Sequence, residues 1–146
     1  MKRILVLFVS LFCFFNMISC DFNAPLRSKM LDYYGQDKNY IELSGIIKGI
    51  TYRKNNELII EVDLLNGTEI FSHNHETELS EFVLVNWSTY DFSFALSDTI
   101  IFSSAPMYFY NGHILPIVHI EKEGVVLLTI EKGKESYLNW IEKTFK

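Results

Sequence analysis

At 146 residues and 17.1 kDa, with 49% hydrophobic and 15% aromatic content, the chain has material for one packed domain and falls outside the disordered class. Eighteen acids against thirteen bases give a net charge of −5, which argues against nucleic acid as a partner, because phosphates demand clustered Lys and Arg. Both cysteines, Cys13 and Cys20, fall within the first twenty residues, so the remainder has no disulfide framework, thiol nucleophile or Cys-based metal site.

The chain opens with Lys2 and Arg3, then an apolar block over residues 4–15, then Asn16, Ser19, Cys20 and Asp21. A membrane-spanning helix needs about 20 consecutive apolar residues, and this block falls short. Basic, apolar and small residues in that order make a secretory signal. At its end, Met17, Ile18, Ser19 and Cys20 resemble the lipobox of the bacterial lipoprotein family: aliphatic, small or aliphatic, Gly/Ala/Ser, then Cys. That resemblance implies diacylglycerol on the Cys20 thiol, cleavage between Ser19 and Cys20, and further acylation of the new amino terminus by a chain such as palmitate. Cys13 is a poor alternative, because bulky Phe12 precedes it inside the apolar run. Removing residues 1–19 discards two bases and no acid, which moves the net charge from −5 to −7. The competing readings are an ordinary secreted protein and an uncleaved anchor helix.

Residues 20–39 are expected to form a tether with a short helix over 26–34 that ends at Gly35. Leu26, Met30, Tyr33 and Tyr34 share one side of it, as a cover for the end of a barrel. Residues 40–52 read as a long strand bent at Gly45 and Gly49, followed by a turn at 53–56. Leu58, Ile60, Val62 and Leu64 then alternate with Glu61 and Asp63 as a half-buried strand should. Asn66 and Gly67 predict a second turn, residues 68–72 a further strand, 73–81 a loop, and 82–87 an apolar strand.

Residues 88–97 carry Tyr90, Phe92, Phe94 and Leu96 in a connector that suits either extended chain or a short helix. Strands are expected over 98–103, 114–120 and 125–130, with an aromatic loop over 106–112. From Lys134 onward, Tyr137, Leu138, Ile141 and Phe145 fall at helical spacing.

Several short strands with helices only at the ends make residues 40–146 a mainly β domain. The order of features resembles the OB-fold, a small five-stranded barrel, here with a short N-terminal helix and a C-terminal amphipathic helix. An immunoglobulin-like sandwich is the alternative.

Three constellations could carry chemistry. His73 and His75, with Glu76 and Glu78, have the residue types of a weak metal site, since His-x-His on a strand points both rings one way. His113 and His119, with Asp98, Ser103 and Ser104, supply the types of a hydrolytic triad but none of its local signatures. Tyr108, Phe109 and Tyr110, together with Tyr52, Trp87 and Tyr90, are candidate ligand-binding aromatics able to stack on side chains or sugars.

The expected function is a non-enzymatic binding or scaffolding module, lipid-anchored on the extracytoplasmic side of a bacterial membrane. No cofactor and no nucleic acid are expected, and the candidate partners are another envelope protein or a glycan. The alternative is an envelope metal-binding or hydrolytic protein that uses His73/His75 or His113/His119.

Overall fold

The computed structural model describes residues 23–71 and 76–146. Within them the elements run α1 (Ala24–Gly35), β1 (Ile41–Arg53), β2 (Glu57–Leu64), β3 (Ser80–Val85), β4 (Thr99–Ser104), β5 (Leu115–Pro116), β6 (His119–Lys122), β7 (Val125–Leu128) and α2 (Ile130–Thr144). The strands form one sheet in the order β5-β3-β2-β1-β4-β6-β7. The class is mainly β with a helix at each end, as the sequence pattern leads one to expect.

The count and the closure differ from a five-stranded barrel: the ladder has seven strands and an open order. The stretch 114–120 does not form one strand, because Pro116 has no N–H to donate and the run breaks there. Its first part, β5, pairs parallel with β3, and its last part, β6, pairs antiparallel with β4. Between them the Ile117 N–H donates to Val83 O at 2.8 Å and the Val118 N–H to Ser103 O at 3.1 Å. A turn at Glu123 and Gly124, both at positive φ, then adds β7.

β1 pairs with β2 along most of its length and with β4 through its first half, and Gly45 sits opposite Leu64 on one side and Ile100 on the other. Its register shifts between Ile47 and Gly49, where the sequence places a bend. Asn55 and Asn56 both adopt positive φ in the turn to β2, the conformation that a tight hairpin demands.

The strand expected over 68–72 is absent through residue 71. Gly67 takes φ +74°, and its carbonyl accepts from the N–H groups of both Ile70 and Phe71. That turn delivers the buried Phe71 ring to within 5.7 Å of the Phe82 ring.

β2 and β3 are covered on both faces, so β3 reads as a continuous apolar run instead of an alternating one. On one face Leu58, Ile60, Val62, Phe82 and Leu84 meet Ile100, Phe102 and Ile120. On the other, Ile59, Val83 and Val85 lie under Met30, Tyr34, Tyr137 and Ile141 of the two helices. Each such side chain contributes roughly 1.5–3 kcal/mol on leaving water.

The helices run antiparallel: the Tyr34 and Tyr137 rings are 4.9 Å apart, while Arg27 near the start of α1 donates to the carbonyl of Phe145 past the end of α2. α1 therefore covers a sheet face, not the end of a barrel. α2 begins four residues before Lys134, with Gly133 pressed against the Val118 carbonyl.

Candidate functional site

The sheet separates the six candidate aromatics into two groups. Tyr52, at the end of β1, and Trp87, just past β3, come together with ring centroids 4.8 Å apart and planes inclined by 58°. Trp87 is positioned by Asn56, whose carbonyl accepts from the Trp87 N–H and whose side chain accepts from the Ser88 N–H. Asn86, in left-handed conformation, stops β3 so that the chain turns there, where the sequence reading continued the strand to residue 87. Tyr90 stacks instead on Phe92, at 5.3 Å and 8°, and its hydroxyl is buried with no protein partner among the described residues.

Ile50, Tyr52, Leu58, Leu84, Trp87, Phe92 and Phe94 line a small cleft of about 40 Å³ beside this pair. A shallow groove of about 500 Å³ adjoins it, lined by Lys48, Thr51, Tyr52, Glu61, Phe94 and Leu96. The groove falls within the size range of ligand sites, roughly 300–1,000 Å³, whereas the cleft holds little more than one side-chain tip. Tyr52 is 64% exposed and Leu96 63%, unusual for residues this apolar that share one surface.

Phe94 and Leu96 were visible in the sequence only as an alternating connector. Its path is fixed by backbone bonds to β1: the Ser97 N–H donates to Ile47 O and the Ile47 N–H to Asp98 O.

The second aromatic group lies in the loop before β5. Phe109 is wedged against Tyr33 and Tyr34, each ring 5.6 Å away, and so belongs to the helix layer. Tyr108 and Tyr110 are exposed, and Tyr110 stacks on His113 at 4.9 Å and 10°.

His113 is only 4% exposed. The Phe109 N–H donates to its Nδ1, at 3.3 Å, so the ring proton sits on Nε2 and is donated to the Tyr137 hydroxyl at 2.9 Å. Tyr137 hydrogen-bonds to Tyr34, and the Tyr34 hydroxyl donates to Met107 O at 3.0 Å. Burial pushes the His113 pKa down to about 4 and pushes both tyrosines above the usual phenol range. Every member of this chain has a partner, so it reads as a satisfied buried polar network. The adjoining cavity, lined by Arg53, Glu57, Tyr110, His113 and Trp140, measures about 80 Å³, too small for a sizeable substrate.

The triad residue types are not assembled. Asp98 accepts from Lys122 Nζ at 2.7 Å and from the Ala95 N–H at 2.8 Å, and the Lys122 bond holds its carboxyl below the usual range. His113 is committed to Tyr137, and the Ser104 hydroxyl is buried with no protein partner among the described residues. His119 sits opposite Ser103 in the β4–β6 ladder.

His73 and His75 lie outside the described residues, as do Ser19 and Cys20. Among the described residues no three His, Cys, Asp or Glu side chains group as metal ligands, and no helix is long and apolar enough to cross a membrane. Compared with known proteins, the chain matches no family model, no curated protein and no solved structure.

Proposed function

We propose that this chain is a lipid-anchored, non-enzymatic binding module of the bacterial cell envelope, held by Cys20, whose groove at Tyr52, Phe94 and Leu96, beside Trp87, seats a segment of another envelope protein. The observation that carries the binding role is the largely exposed Tyr52 leaning on Trp87 at the edge of an open groove. Trp87 and Phe94 pack on the core with one side, whereas Tyr52 and Leu96 remain largely exposed beyond it.

A protein segment suits the groove better than a glycan does. The two rings are inclined to each other and offer no flat platform for a sugar, while Ile50, Phe94 and Leu96 extend the surface with apolar groups that fit side chains. Lys48 and Glu61 add one charge of each sign at the margin, as the polar rim of an interface does.

An OB-like reading of the sheet is supported by the chain from β5 to β6, which bonds to β3 on one side and to β4 on the other. In that arrangement Tyr52 and Trp87 stand at the ends of strands flanking the usual ligand face.

Two measurements in growing cells test the proposal. Wild type is expected to take up a clickable fatty acid and partition into detergent, and Cys20→Ala to do neither; label retained by Cys20→Ala refutes the anchor. A photo-crosslinker at position 96 is expected to give a discrete, protease-sensitive adduct that Tyr52→Ser abolishes, while the same probe at exposed Asn139 gives none. No adduct, or one carrying only glycan, overturns the assignment of the groove.

A further inference from the structure

We propose that the end of the helix pair bearing Lys143 and Lys146, together with the aromatic loop that abuts it, lies directly against an anionic bilayer surface and fixes the orientation of the domain. This rests on the reading of Cys20 as the lipidated residue.

Only residues 21–23 separate Cys20 from Ala24, the first residue of α1. A chain spans at most about 3.6 Å per residue, so the anchor lies within roughly 15 Å of the helix start. α1 cannot swing away to lengthen that tether, because Met30 and Tyr34 are fully buried beneath it and Arg27 is bonded to Phe145 O. The domain therefore has to sit close to the membrane, and the face it presents is the one around the start of α1.

The antiparallel pairing brings the end of α2 to that point, where Lys143 and Lys146 are exposed, and Lys29 is exposed midway along α1. Glu142 is the exposed acid of this end of α2, and Asp21 lies in the tether. The loop before β5 touches this end through Tyr110, whose ring is 5.7 Å from that of Phe145, and runs across the helix pair to Tyr34, whose hydroxyl donates to Met107 O; Met107, Tyr108 and Tyr110 are 44%, 46% and 38% exposed.

Tyrosines prefer the headgroup region, where a ring is buried and a hydroxyl stays wet, and lysines beside the surface are attracted to anionic lipid. A mature chain of net charge −7 would otherwise be repelled by such a bilayer, so a lysine-bearing end nearest the anchor favours a single orientation. The groove at Tyr52 and Leu96 belongs to the sheet face away from the helices, which leaves it accessible.

The test uses the full lipidated protein in vesicles of phosphatidylcholine and phosphatidylglycerol containing a headgroup nitroxide lipid. An environment-sensitive fluorophore is placed on Tyr108→Cys, or on Met107→Cys as a second variant, and on Leu96→Cys for comparison. Quenching is expected to be about twofold or more stronger at 107 and 108 than at 96, and Lys143→Glu with Lys146→Glu is expected to erase the difference. Vesicle flotation of the same samples separates the two ideas. If wild type floats but 96 is quenched as strongly as 108, or the charge reversal has no effect, the docking face is refuted and the anchor stands; if wild type fails to float, the anchor itself is refuted.

Discussion

His113 Nε2 and the Tyr137 hydroxyl meet at 2.9 Å in the layer between the helices and the sheet, and the imidazole is neutral there because its Nδ1 already accepts the Phe109 N–H. Protonating the ring would place a charge where burial penalises it and would turn a satisfied acceptor into a donor facing another donor.

From this follows a pH dependence whose sign is fixed. The His113 pKa is pushed down by burial to about 4 from an unfolded value of 6.5, so between those values the unfolded chain binds a proton that the folded one refuses. The contribution is complete above about pH 6.5 and is lost as pH falls toward 4. Its size is on the order of 2 kcal/mol, one pKa unit being about 1.4 kcal/mol and the site keeping some access to solvent. Urea unfolding at pH 7 and pH 4.5 should show the loss, and His113→Gln should flatten it. An unchanged pH slope in the variant would assign the effect to other groups.

Two glycines with crowded surroundings are expected to behave differently. A Cβ at Gly133 would come within 1.9 Å of the Val118 carbonyl oxygen, and backbone cannot give way without lifting α2 off the sheet. A Cβ at Gly49 would come as close to Glu61, but to the carboxylate end of a side chain that can swing into solvent. Gly133→Ala should cost about 2–3 kcal/mol despite the better helix propensity of Ala, and Gly49→Ala less than about 1 kcal/mol. Thermal melts of both variants check this; equal melting temperatures would mean that α2 adjusts freely.

Much of the sheet was legible because its residues report on both neighbours at once. Ile60, Val62 and Leu64 alternate with Glu61 and Asp63, and Gly45 and Gly49 mark the bend in β1, whereas Ile59 breaks the alternation because the helices cover it. The split of the strand expected over 114–120 was less visible: these residues form a mostly apolar run, and the effect of Pro116 depends on which edge the run meets. The aromatics were recognisable as candidates but not as two groups, since whether Phe109 is wedged into a core or Tyr52 exposed on a groove depends on residues far away in the chain. Tyr34 and Tyr137, which complete the His113 network, registered only as apolar positions on helix faces.

Phe71 offers the sharpest test of where sequence and structure part. The stretch from residue 68 combines Thr, Ile and Phe, which favour strands, yet the chain turns because Gly67 takes a left-handed conformation and its carbonyl captures two N–H groups. A turn buries Phe71 against Phe82 and leaves Ile70, its neighbour, 46% exposed. Phe71→Ala should therefore cost about 3 kcal/mol through the cavity it opens beside Phe82, while Ile70→Ala should cost less than about 1 kcal/mol. Chemical denaturation of the two variants measures both. Comparable losses would mean that Ile70 and Phe71 are buried alike, and the turn that sets Phe71 apart would have to be abandoned.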